Sequence, residues 1–189
     1  MKPNDATKLS DEDLVYKIVE TNNTHLFAVL YDRYATVVYN KCYGFSINKE
    51  EAQDLTHDVF IKLFIKLRTF KGKSKFSTWL YSFTYNFCVN YVQRNANKKK
   101  EKVTVVTDQI KGEDSFDDID DATLFELKSK KLAKAMKLID PNDKVILMMK
   151  YQDDMTIKEI QHILEIGESA VKMRLKRAKE KIINVYQEL

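Results

Sequence analysis

Apolar residues recur along this chain at intervals of three and four, and strict alternation hardly ever persists, so the pattern is that of amphipathic helices rather than strands. Ser10 stands before Asp11, Glu12 and Asp13 as an N-cap with an acidic first turn, and Leu14, Val15, Ile18 and Val19 follow at helical spacing. A first helix is predicted over about 11–21. Leu26, Phe27, Leu30, Tyr31, Tyr34, Val37, Val38 and Tyr39 carry the same period to about Cys42, where Gly44 offers a stop. Asn48 with Glu51 has the form of a capping box, opening a long helix through Leu55, Val59, Ile61, Leu63 and Leu67 that ends near Arg68. The basic, glycine-containing loop FKGKSKFSTW comes next. An aromatic-rich helix then runs over roughly 77–95.

Past this point the apolar period stops. Residues 95–102 are polar and basic, and residues 108–121 hold seven acidic residues against one lysine, the composition of a solvated linker. VTVVT at 103–107 has strand propensity but no partner run, so it is assigned to the linker as well. Leu124, Leu127, Leu132, Ala135, Met136 and Leu138 predict a fifth helix. Asp140 caps a sixth, with Pro141 at its first position and Val145, Ile146, Met148 and Met149 on its core side. Thr156 and Glu159 form a capping box for a short helix through Ile160, Ile163 and Leu164. A break at Glu165 to Gly167 precedes a last helix with Val171, Leu175, Ala178 and Ile182 facing inward. Short helix, three-residue turn and longer helix make a helix-turn-helix. The expected fold is all-α: a helical domain over 1–96, a flexible acidic linker over 97–122, and a helix-turn-helix domain over 123–189.

Composition sharpens this picture in a few places. Four glycines and two prolines in 189 residues leave room for long helices. The net charge of +4, from 32 basic and 28 acidic side chains, identifies no partner by itself, so its distribution matters more. Cys42 and Cys88 form no metal-like or disulfide framework and read as two thiols in a reducing compartment. MKPNDATKLSDED lacks an apolar stretch and no later segment reaches the length of a membrane span, so a cytoplasmic protein without membrane insertion is expected. No Ser-His-Asp set, phosphate loop or metal-spaced cluster occurs, and the three histidines fall on separate predicted helices. Neither an enzyme nor a cofactor is expected. On the last helix, Lys172, Met173, Lys176 and Arg177 fall away from the apolar seam. Together with Ser169 and the backbone amides of the helix start, they suit phosphates and guanine edges in a major groove.

The stretches LYDRYATVVYNKC, EEAQDLTHDVFIKLF, FKGKSKFSTWLY and MTIKEIQHILEIGESAVKMRLKRAK resemble, in order and spacing, conserved regions two and four of the extracytoplasmic-function class of bacterial sigma factors. The resemblance covers nearly the whole chain. It implies a transcription-initiation factor of two tethered helical domains, one reading and melting the promoter −10 element and the other docking on the −35 element. It implies as partners core RNA polymerase, through its clamp helices and flap, and promoter DNA. By position, the helix holding Asp54, Asp58, Phe60 and Phe64 is similar to the one that meets the clamp helices, where carboxylates beside exposed aromatics would suit a basic, partly apolar coiled coil. For Phe60 and Phe64, plain core packing is an equal reading. His57 stands where many members have Gln and is read as a polar surface residue.

Melting needs a place for an unstacked base and basic groups for the separated strand. Phe76, Ser77, Thr78 and Trp79 resemble the family's melting segment, and Lys71, Lys73 and Lys75 suit its phosphates. Asn86, Asn90 and Arg94 share a helix face at the positions matching −10 readout, with Asn90 in place of an acid common there. Trp79 serves equally as a core anchor. Two residues depart from the helix-turn-helix pattern: Gln161 where a small residue is usual, and Glu165 where Gly supplies a positive φ. These departures motivate an additional DNA-targeting protein as a candidate partner, and the resemblance adds an anti-sigma factor. The acidic linker reads as a spacer or as a nucleic-acid mimic within the polymerase. A stand-alone helix-turn-helix repressor is the rival reading; it accounts for residues 156–180 but not for the aromatic segment or the acidic helix.

Overall fold

The computed structural model describes residues 6–102 and 129–189. Among them are helices α1 (Asp11–Thr21), α2 (Thr24–Phe45), α3 (Lys49–Lys66), α4 (Phe76–Lys102), α5 (Ser129–Leu138), α6 (Pro141–Leu147), α7 (Ile157–Leu164) and α8 (Glu168–Glu188). No described residue lies in a strand, and the all-α expectation holds. No described helix is long and apolar enough to cross a membrane. The chain divides into two compact units, Met1–Cys88 and Val89–Leu189.

Local side chains set most helix starts in the first unit. Ser10 Oγ accepts from the Asp13 amide at 3.1 Å, and Asn23 Oδ1 accepts from the His25 and Leu26 amides. Asn48 Oδ1 accepts from the Glu51 amide at 2.8 Å, while the Glu51 carboxylate reaches back one residue further than in a standard box, to the Ile47 amide. Leu14, Leu30, Val38, Val59, Leu63, Phe76 and Leu80 are wholly buried, a core drawn from all four helices. Burying each such side chain contributes about 1.5–3 kcal/mol.

Two boundaries differ from expectation. α2 runs through Gly44 to Phe45, because Phe45 is buried edge-on against Tyr85 and the Ser46 hydroxyl donates to the Cys42 carbonyl at 2.8 Å. α4 continues to Lys102 instead of ending near 95, so residues 97–102, expected as linker, are helical. The Lys and Glu residues there have high helix propensity. The rest of the expected linker, and the Leu124 and Leu127 start of the fifth helix, lie outside the described residues.

In the second unit, Asp140 caps the Asn142 amide at 2.8 Å beside Pro141. The apolar period then passes from α6 into a π turn, Met148–Gln152, which keeps Met148 and Met149 buried. Thr156 and Glu159 make the full capping box of α7. Ile160, Val171, Leu175, Ala178 and Ile182 are buried as their spacing predicts, whereas Leu138 is 64% exposed.

Candidate functional site

The outer face of α3 carries Asp54, His57 and Asp58, all exposed, and the same three-four spacing continues into Ile61 and Ile65, which are 61% and 55% exposed. The face is therefore acidic at its start and aliphatic at its end. Of the two readings of Phe60, its burial favours core packing over the exposed row. It is buried, with its ring centroid 4.4 Å from Tyr31 and its edge toward Phe27, because its position falls on the core side of the helical period. Phe64 is half-buried, 4.9 Å from Phe27. These rings, with Thr24, His57 and Ile61, line an open groove beside the acidic face. Ile61, Ile65, Phe27 and Tyr31 were not among the site residues expected from the sequence. Ile61 and Ile65 were legible there, being spaced from Asp54 and Asp58 along one face.

The loop before α4 holds Lys71, Lys73 and Lys75, all exposed, around Gly72 at φ 65. A Cβ at Gly72 would lie 2.5 Å from Tyr16 Oη, so the glycine serves both a left-handed turn and a close approach. The loop is anchored at each end by an aromatic residue: Phe70 is 6% exposed and Phe76 wholly buried. Trp79 is half-buried among Phe70, Phe76 and Phe83, at ring-centroid distances of 5.6, 5.9 and 5.6 Å, and is nearly parallel to Phe83. It is thus an anchor that keeps part of its ring at the surface. Ser77 and Thr78 are half-buried beside it, and Asn86, Asn90 and Arg94 are distributed along α4, all three exposed.

The polar arrangements packed behind this surface were not legible locally. The Phe76 amide, at the start of α4, donates to Glu12 Oε1 of α1 at 2.8 Å. Asp11 accepts from Arg33 at 2.7 Å and from the Tyr34 hydroxyl, and burial together with that carboxylate pushes the Tyr34 phenol well above its usual range, keeping it a neutral donor. Lys41, 1% exposed, holds its ammonium 4.1 Å from the Tyr81 ring centroid and 3.4 Å from Tyr85 Oη. Cys42 and Cys88 are free, buried thiols with Sγ atoms 3.9 Å apart. The contact with Cys88 lowers the Cys42 thiol below its ordinary range.

In the second unit, Glu165 adopts φ 53 and ψ 38, the left-handed conformation that Gly usually supplies at this turn. Gln161, half-buried, is accommodated, so the turn keeps its geometry despite both departures. Ser169, Lys172, Met173 and Arg177 are exposed on α8, and Lys176 is half-buried. Glu168 pairs with Lys172 at 2.7 Å, and that ammonium holds the Glu168 carboxyl below the usual carboxylate range. The pair places a carboxylate at the helix start where a phosphate was expected. Lys150 and Lys179 join Lys172 and Lys176 around a groove floored by Tyr151 and Leu175. Sequence reading missed Lys150 because it lies on the π turn, outside the helix-turn-helix spacing.

Residues 30–98 match the family model described as Sigma-70 region 2, and residues 129–182 the one described as Sigma-70, region 4, together well over half of the chain. The chain is 29% identical to the ECF RNA polymerase sigma factor SigW of Bacillus subtilis (strain 168), over 87% of this chain and 90% of that protein. To the ECF RNA polymerase sigma factor SigM of the same organism it is 26% identical, over 83% and 93%. Among solved structures, the sigma factor RpoE from Bartonella quintana, in complex with the anti-sigma factor NepR, aligns at a TM-score of 0.60 with 14% identity, over 85% of this chain and 96% of that one. The structure of CnrH in complex with the cytosolic domain of CnrY aligns at 0.58 with 18% identity, over 94% and 97%.

Proposed function

We propose, from the premise that this chain belongs to the extracytoplasmic-function branch of the sigma-70 family, a division of labour among its three exposed surfaces. The chain is a transcription-initiation sigma factor, with core RNA polymerase and promoter DNA as its partners. The observation that carries this reading is the order of matched segments, region 2 over residues 30–98 and then region 4 over residues 129–182. A stand-alone helix-turn-helix regulator uses only the second.

In our reading the α3 face binds the polymerase clamp helices. Asp54 and Asp58 supply charge that steers a basic partner, and Ile61, Ile65 and the exposed part of Phe64 supply the apolar area that holds it. The loop lysines 71, 73 and 75, with Ser77, Thr78 and Trp79, hold the opened strand, and Asn86, Asn90 and Arg94 read −10 bases. Ser169, Lys172, Met173, Lys176 and Arg177 dock on the −35 element, with Lys150 and Lys179 adding phosphate contacts. The polymerase flap meets the second unit. The chain itself makes and breaks no covalent bond, and it works in the cytoplasm with the polymerase and the chromosome. An anti-sigma factor is proposed by analogy with the solved complex of RpoE and NepR. The motive for an additional DNA-targeting protein now rests on Glu168, since Glu165 keeps the turn.

The test is capture of purified core polymerase by the protein and by its Asp54→Arg and Asp58→Arg variants. The reading predicts that each substitution weakens binding by about tenfold or more, equivalent to about 1.4 kcal/mol, with helicity unchanged. Undiminished capture removes α3 from the interface. Failure of the unsubstituted protein to capture polymerase favours the stand-alone regulator.

A further inference from the structure

We infer that α1 is a brace for promoter opening, with Glu12 and Tyr16 as positioning residues that set the basic loop and the first turn of α4 in the geometry that receives a separated strand. The inference rests on the reading of Lys71 to Trp79 as the strand-holding segment.

Glu12 Oε1 accepts from the Phe76 amide at 2.8 Å, across 64 positions of sequence. Lys75, immediately before α4, has a side chain without an acceptor and cannot cap the helix, so Glu12 satisfies an orphan amide from outside. Tyr16 covers the other side of the loop. Its ring lies 6.3 Å from that of Phe70, and its hydroxyl sits 2.5 Å from where a Cβ on Gly72 would fall. α1 is itself tied to α2, since Asp11 accepts from both Arg33 and Tyr34. A continuous path of contacts thus runs from α2 through α1 to the loop.

The chemistry of the loop makes such a brace useful. Three lysines within five residues repel one another and the glycine among them adds backbone freedom, so the segment resists ordering, yet phosphate capture is strongest when the cations are already in place. The carboxylate of Glu12 also lies at the positive end of α4, where a negative charge is favourable. Trp79, one turn into α4, packs on both Phe70 and Phe76, so its exposed part moves with whatever fixes those two rings. Neither Glu12 nor Tyr16 needs to touch DNA for this.

The experiment measures polymerase affinity and the rate of open-complex formation, by permanganate reactivity of unpaired thymines, with Glu12→Ala, Glu12→Gln and Tyr16→Ala in the full chain. A duplex promoter and the same promoter with a pre-opened bubble are compared. Glu12→Ala and Tyr16→Ala are expected to slow opening of the duplex about tenfold while leaving polymerase affinity unchanged. Glu12→Gln restores most of the rate, because its amide oxygen still accepts from Phe76, and the bubble template abolishes the defect. Should Glu12→Ala lose helicity, Glu12→Asp keeps the charge but withdraws it from the amide, and is expected to slow opening in the same selective way. Equal loss on both templates makes the contacts merely structural and overturns the inference. So does normal opening by the α1 variants when Lys71→Ala, Lys73→Ala and Lys75→Ala together slow it. If the triple lysine variant also opens the duplex normally, the strand-holding reading falls, and the inference with it.

Discussion

A glutamate in the left-handed region and a glutamate at a helix start bear on the proposed contact of the second unit with DNA. Glu165 at φ 53 carries a conformational cost of about 1–2 kcal/mol that Asn, which visits this region readily, largely avoids. Glu165→Asn is therefore expected to stabilise the second unit by about 0.5–1 kcal/mol in urea denaturation, and an unchanged midpoint would show that the turn is unstrained. Glu168 is held as a carboxylate by Lys172. Because its folded pKa is depressed, the pair's contribution is complete above the ordinary carboxylate range and is lost only as the pH falls through the lowered value. The contribution is small at this exposed site. At neutral pH the pair is intact, and in the proposed −35 contact it would compete with phosphate for Lys172. Glu168→Gln is expected to tighten duplex binding a few-fold and to steepen its salt dependence toward one more phosphate contact. Weaker binding by this variant would mean that Glu168 itself takes part in recognition.

Helices whose ends are set by neighbouring residues are legible in the amino-acid sequence. Ser10, Asn48, Asp140 and Thr156 each cap an amide within three positions, and the spacing of each is enough to place the helix start. What escaped depended on distant packing. The Glu12 contact with Phe76 joins residues far apart in sequence, the extra turn of α2 depends on Phe45 meeting Tyr85, and the π turn Met148–Gln152 carries no local signal in the spacing of its apolar residues. On α3, the spacing from Asp54 and Asp58 separates Ile61, which is exposed, from Phe60, which is buried on the core side. That distinction separates stability from binding. Leu63→Ala, at a wholly buried position, is expected to cost about 2–5 kcal/mol of folding stability. Ile61→Ala should leave the thermal midpoint nearly unchanged yet weaken polymerase binding. A large loss of stability in Ile61→Ala, or full polymerase affinity, would contradict the assignment of that face.

Across the whole molecule, a modest net charge of +4 conceals a separation that matters more than the total. Acidic and aliphatic groups share the outer face of α3, three lysines crowd the loop before α4, and basic side chains gather along α8. The residue types needed for each surface were visible in the sequence, as was their order along the chain. Their supports, namely the Lys41 cation against two tyrosines, the Asp11 hydrogen bonds and the Trp79 ring cluster, were visible only once the helices were packed. The most direct test of the initiation function is run-off transcription from a promoter library with purified core polymerase and this protein, repeated with Asp54→Arg and Asp58→Arg. Promoter-specific transcripts that depend on the protein and disappear on either substitution are expected. Specific transcripts that survive both substitutions would contradict the role assigned to α3, and a polymerase that neither binds the protein nor gains promoter specificity from it would contradict the initiation function itself.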